Sequence, residues 1–408
     1  MLLRKNEAFR NLFFGRISSV FADAIMFFSL LKWVELQTGD SDSFTFFYIA
    51  FYIPVAFLTL PVGAWISKKV LQKVMVYSNM IQATTIVLFI IFMPFVAYEW
   101  IYVFLIALSI IGIFFVPANQ SLLPYIVEEE DRPKANSLLQ LGFTMVKILG
   151  QIFTAVAIKI AIPPNLLLIF SAVLMVISVL FIRLIKPAVR DTSNEEKGQW
   201  KLIKEGVLYI TGQPILRALF LFLTLGMFIV SSVDLLLIHF LTDYLSTGVE
   251  NLSFIGTASL IGITIGAMLT PRWYKQTDEK KWLILPLFFM LSLSIGSLYF
   301  ITSWYYILPF FMLQGIALGC FNISFVTYLQ EIVSSSHYTR TFSLYYMLTG
   351  SMALPGVLLM GGLLSNIGIR QTIIVMASIL AILGIAGTIF IPALGKKSIK
   401  ISSDSKSI

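Results

Sequence analysis

Charge is what this sequence has least of. Of 408 residues only 12% are Asp, Glu, Lys or Arg, about half the share of an ordinary soluble protein. Most of the chain therefore cannot face water. Cysteine is nearly absent. Cys320 stands alone in an apolar run, which excludes an internal disulfide and any multi-cysteine metal site and reads as a small core side chain. Two histidines, His239 and His337, are too few for a His-rich site. The opening residues, MLLRKNEAFRN, lack the short apolar core and small-residue cleavage site of a signal peptide, so the first span itself is expected to direct insertion. No Walker loop, metalloprotease motif or serine-hydrolase elbow occurs. Neither ATP-driven transport by this chain alone nor enzymatic catalysis is expected, and no cofactor or metal is called for.

What is present is apolar. Hydrophobic residues make up 58% of the chain and its mean hydropathy is +0.88. At about 20 residues per crossing, twelve crossings would use about 250 residues, close to that apolar share. The expected fold class is an all-α polytopic membrane protein of twelve transmembrane helices in two six-helix halves. Apolar runs between polar breaks place spans one to six at 11–36, 43–66, 72–96, 99–124, 136–161 and 163–186. Spans seven to twelve fall at 215–241, 250–272, 281–302, 304–330, 340–365 and 369–393. The domains expected are an N-terminal half at 1–186, a cytoplasmic linker at 187–213, a C-terminal half at 214–395 and a cytoplasmic tail at 396–408. Within the linker, 199–212 alternates apolar and polar residues at helical spacing, as a helix lying along the membrane surface would.

Lysine and arginine decide the orientation. With the N-terminus inside, the cytoplasmic segments hold Arg4, Lys5, Arg10, Lys68, Lys69, Lys73, Arg132 and Lys134, besides the basic residues of the linker and the tail. The opposite loops offer Arg370 alone. An even number of spans returns the C-terminus to the cytoplasm. The formal charge of +8 is thus explained by topology and anionic lipid headgroups, and nucleic acid is not expected as a partner.

The two halves are copies of each other. One offset of 203 residues places Gly63 on Gly266, Gly112 on Gly315, Asn119 on Asn322 and Tyr125 on Tyr328. Six-span halves of the same orientation imply a parallel repeat about an axis along the membrane normal, the architecture of a transporter with its site near the midplane.

Three segments carry a family resemblance: FRNLFFGRISSVFADAI at 9–25, PANQSLLPYIVEEEDRPKANSL at 117–138 and LIKEGVLYITGQPILRALFL at 202–221. With these the chain resembles the major facilitator superfamily, and within it the twelve-span macrolide-efflux-like and siderophore-exporter-like branch. The resemblance implies a secondary active transporter of a bacterial plasma membrane, working as a monomer. It implies export of a small amphipathic molecule, a drug or a siderophore-like metallophore, by proton antiport, and hence multidrug resistance. The alternative it implies is a lysophospholipid or glycolipid flippase on the same fold. One loop departs from the family pattern. In the cytoplasmic gate loop GAWISKKVLQK, Gly63, Lys68 and Lys69 are kept, but Ser67 stands where the superfamily has Asp. Serine can cap a helix but brings no charge, which weakens the cytoplasmic latch that this loop is expected to form.

Charges inside spans need a reason, because each costs several kcal/mol at the bilayer centre (roughly 2.5–3.5 on insertion scales). The acidic residues well inside are Asp23 in span one and Asp234 in span seven, the first helices of the two halves. Both are candidate proton-coupling carboxylates. Their candidate charge partners or substrate contacts are Arg16, two helical turns from Asp23, and Lys147 in span five. A structural salt bridge to either cation is the competing reading of Asp23. Asn119, Gln140, Gln314 and Asn322 are polar groups that need partners in the membrane. They are read as helix-to-helix hydrogen bonders or as cavity lining. Gly262 and Gly266 form a small-x-x-x-small pair and read as packing.

Overall fold

The structure is a computed structural model, and it describes residues 2–66, 69–186, 207–277, 281–333 and 338–390. Among the described residues, ten helices are long and apolar enough to cross a membrane. One of them, Met347–Ile389, covers both span eleven and span twelve, two helices that meet at a kink where Gly368 leaves helical geometry (φ 73°, ψ 172°). Span nine is the shorter Pro286–Ser297, started by its proline. Each of the twelve expected spans thus has a helical counterpart. Of the linker, 207–212 is helical. The remainder of the expected surface helix, the start of the linker at 187–206, His337 and the tail at 396–408 lie outside the described residues.

Span one shows how local sequence sets helix ends. Asn6 caps Glu7–Thr38, its side-chain oxygen accepting from the Phe9 N–H at 2.9 Å. This satisfies one of the helix's free donors. The amide of Asn6 also donates to the Ile126 carbonyl at 2.6 Å, tying the start of span one to the end of span four. At the other end Gly39 takes a left-handed φ of 59° and its N–H returns to the Glu35 carbonyl, a stop that glycine adopts without steric cost.

The chain forms two compact units, 1–196 with 248–254, and 197–247 with 255–408. In the first unit, span one is held by polar groups placed to meet backbone. Ser178 donates to the Gly15 carbonyl at 2.6 Å and Ser171 to the Ala22 carbonyl at 2.8 Å. Asn79 of span three donates to Ser178 at 2.8 Å and accepts from Ser19 at 3.4 Å. In lipid these contacts, rather than water exclusion, specify the helix pairing. Gly150 of span five faces span one so closely that a Cβ there would lie 2.8 Å from the Ala24 Cβ.

In the second unit, spans eight and ten meet backbone to backbone. A Cβ at Gly262 or Gly266 would collide with the Met312 or Ile316 carbonyl oxygen, and one at Gly315 or Gly319 with the Ser259 or Ile263 carbonyl oxygen. The glycine pair in span eight therefore has a matching pair in span ten. Gly112, the repeat counterpart of Gly315, has open space around it, so the repeat does not reproduce this contact. Two spans of this unit are interrupted. Span seven runs Pro214–Val230, breaks at Ser231 and Ser232, resumes as Val233–His239 and ends in a π-helical turn, Phe240–Tyr244. Span eleven breaks at Met352. The breaks touch: Ser231 donates to the Met352 carbonyl at 3.1 Å, in addition to the bond that carbonyl accepts from the Gly356 N–H at 3.1 Å.

Candidate functional site

In the first unit Arg16 and Lys147 come together over one phenylalanine, with Asp23 two turns from Arg16 along span one. Asp23, half-buried, accepts a hydrogen bond from the Gln82 amide of span three at 2.9 Å. The cation whose charge acts on it is Arg16. No ion pair within 4.0 Å joins them among the described residues. The Arg16 guanidinium instead lies over two rings, 5.5 Å from the Phe115 centroid and 5.4 Å from that of Phe143. Lys147 approaches the same Phe143 ring from one turn further along span five, at 6.0 Å. Two cations thus share one aromatic ring, each contact being worth about 0.5–2 kcal/mol depending on desolvation. The arrangement leaves Asp23 held by a neutral amide, with a cation near but not bonded to it. Such a carboxylate can change its charge without breaking a salt bridge.

The polar residues separate into two groups. Asn119 and Gln314 are buried, and the side-chain oxygens of both lack a hydrogen-bond partner. Asn322 is half-buried and Gln140 exposed. Asn119 and Gln314 therefore each keep a free acceptor, which suits a group that waits for a ligand or a water.

In the second unit Asp234 is exposed and sits in the first turn of the helix that follows the break in span seven. Five residues on, His239 is buried, its Nδ1 lying 3.1 Å from Asp243 and its Nε2 without a partner. Tyr244 closes the π turn, its hydroxyl accepting from Arg370 at 2.7 Å. A helix interrupted and then widened into a π turn at its end is a common accompaniment of functional positions.

Of the gate loop, Gly63 lies within the helix Asp42–Ile66. Lys69 rests over the Trp65 ring at 4.9 Å. Ser67 and Lys68 lie outside the described residues.

One cluster was not anticipated from sequence. Lys32 pairs with Glu35 one turn on and with Glu250 at 3.0 Å. Glu35 also accepts from the Val249 N–H at 3.0 Å. Side-chain exposures of 18%, 19% and 13% for the three charges make this a largely desolvated triad. With Lys159 over the Phe254 ring at 5.0 Å, it accounts for the packing of 248–254 with the first unit. The spacing of Lys32 and Glu35 was legible as a helical i,i+3 pair. Nothing in the sequence pointed to Glu250. Gln82, Phe115 and Phe143 were likewise missed, since an amide and two phenylalanines are unremarkable in apolar spans.

Comparison with known proteins follows the same lines. The profile of the Major Facilitator Superfamily matches residues 12–244 and 233–406. The Uncharacterized MFS-type transporter YvqJ of Bacillus subtilis (strain 168) is 24% identical over 401 residues, covering 94% of this chain and 92% of that one. Among solved structures, the nucleoside transporter NupG is similar with a TM-score of 0.75 at 14% identity, over 94% of this chain and 99% of that one. A bacterial homologue of the iron transporter ferroportin in the inward-facing state has a TM-score of 0.71 at 18% identity, over 96% and 100%.

Proposed function

The chain belongs to the Major Facilitator Superfamily, and from that premise we propose that it exports a small amphipathic molecule across a bacterial plasma membrane by proton antiport. That it is a multi-pass transporter rather than an enzyme comes with the family. The cargo does not, for the similar structures carry names as different as nucleoside and iron transporters. Both termini are cytoplasmic in this reading, in keeping with the placement of Lys and Arg. The halves at 1–186 and 214–395, joined by the linker at 187–213, are its two domains in this reading.

The observation that carries the coupling is the setting of Asp23. Antiport needs a group that is charged in one conformation and neutral in another. Asp23 sits deep in span one, accepts from the neutral Gln82 amide and feels the Arg16 charge across a gap. Its protonation costs no ion pair, and a small shift of Arg16 off its two phenylalanine rings changes the charge it feels. Asp234, beside the break in span seven, is the second carboxylate in line for the same work. Asn119, Gln314, Asn322, Gln140 and Lys147 contact cargo in this reading, and the buried free acceptors of Asn119 and Gln314 favour a cargo that donates hydrogen bonds.

Everted membrane vesicles containing the full chain test this. With a pH gradient imposed, a macrolide or a catecholate siderophore that is cargo should collapse part of the gradient, read as dequenching of an acridine dye. Asp23→Asn keeps the acceptor for Gln82 and removes the charge, so the protein should fold and bind but show no gradient collapse. Coupling that persists in a folded Asp23→Asn protein removes Asp23 from the mechanism. Lysophospholipid movement with no response to the gradient replaces antiport with a flippase.

A further inference from the structure

A cavity of about 540 Å³ opens on the first unit between spans two, three and four, away from every candidate residue above except Lys69. Its volume lies within the range of about 300–1,000 Å³ typical of ligand pockets. Its walls are graded. Along span three, Lys73, Tyr77 and Ile81 stand one turn apart on a single stripe and all line it. In helical rise this stripe runs about 12 Å from a cation through an aromatic to an aliphatic residue. The facing wall, from span four, descends the same way from Phe114 to Ile110. At the charged end Lys69 lies over Trp65, whose ring meets Phe114 edge-on at 5.6 Å. Trp65, Tyr77 and Ile81 are 50%, 62% and 52% exposed, so the groove is open along its side.

No acidic side chain lines this cavity, and neither Lys69 nor Lys73 forms an ion pair among the described residues. In the sequence, Ser67 stands where the superfamily would supply a neighbouring carboxylate. Two cations, an aromatic belt and an apolar slot in that order match the headgroup, glycerol and acyl layers of one lipid. We propose that this groove binds an anionic glycerophospholipid of the inner leaflet, its phosphate between Lys69 and Lys73 and one acyl chain along Ile81 and Ile110. The leaflet rests on the orientation proposed above. Binding itself does not.

The test uses the full chain in nanodiscs of phosphatidylcholine doped with phosphatidylglycerol, and needs no transport. Brominated acyl chains quench a tryptophan they touch, and the Trp65 signal is the difference between the chain and its Trp65→Phe variant. Brominated phosphatidylglycerol should quench that signal at a mole fraction about 25-fold lower than brominated phosphatidylcholine. Each lysine near an anionic surface is worth about 1 kcal/mol, or about five-fold, so Lys69→Gln and Lys73→Gln should each cut the preference about five-fold, and together nearly abolish it. Ile110→Trp fills the slot while keeping both lysines. Measured in the Ile110→Trp background, the Trp65 difference signal should lose its preference for brominated phosphatidylglycerol, because the new ring occupies the acyl position. Equal quenching by the two lipids, or an unchanged preference in the double lysine variant, overturns the site. A preference at Trp65 that Ile110→Trp leaves unchanged overturns the acyl slot. None of these outcomes bears on proton coupling at Asp23.

Discussion

Replacing Lys32 by methionine should loosen residues 248–254 from the first unit much more than replacing Glu250 by glutamine. The triad carries one positive and two negative charges, all less than a fifth exposed. Glu250→Gln removes one carboxylate and leaves Lys32 paired with Glu35, while the glutamine oxygen can still accept. A charge-assisted bond becomes a neutral one, at a cost of about 1 kcal/mol. Lys32→Met leaves two carboxylates facing each other with no cation. Removing one partner of a fully buried pair costs about 3–5 kcal/mol, and the residual exposure here reduces that to about 2. Local opening exposes Val249, which is 1% accessible in the closed state and whose backbone, not side chain, bonds Glu35. A Val249→Cys probe in a Cys320→Ala background therefore reports opening through its maleimide labelling rate. At about 1.4 kcal/mol per factor of ten, Glu250→Gln should label about five-fold faster and Lys32→Met about thirty-fold faster. The double variant should fall between them, because it relieves the carboxylate repulsion. Equal rates for the two single variants, or a double variant faster than Lys32→Met, would falsify the triad as the tie.

Two further substitutions check the packing. Gly315→Ala puts a methyl against the Ser259 carbonyl and forces spans eight and ten apart, a cost of about 1–3 kcal/mol for overpacking. Gly112→Ala, in the open counterpart position, should leave the melting temperature in detergent unchanged or slightly raised; equal losses at both sites would contradict the asymmetry between the halves. Asn6→Ala loses both the cap to Phe9 and the bond to Ile126, and should cost about 1–2 kcal/mol, seen as faster amide exchange at Phe9 and at the end of span four. Asn6→Asp keeps the cap alone and should recover about half.

Hydropathy along the chain was enough for the membrane class and the twelve spans, and sequence is the sole basis for their orientation and for the 203-residue repeat. Each of these follows from a one-dimensional property: where apolar runs are long enough to cross a bilayer, which loops hold Lys and Arg, and which offset aligns the halves. Asp23 and Asp234 also stood out, because a carboxylate inside an apolar run is conspicuous without any coordinates. The pairings belong to three dimensions. Asp23 meets Gln82 rather than a cation, Arg16 settles on phenylalanine faces, and Lys32 finds Glu250 from 218 residues away. The breaks in spans seven and eleven meet through Ser231, and the glycines of span eight find those of span ten while their repeat counterpart Gly112 finds nothing. Inside a bilayer every helix is apolar over most of its surface, so hydropathy does not say which face meets which neighbour. That choice rests on a few polar atoms and glycines whose partners lie on other helices, and distance along the chain carries no record of it.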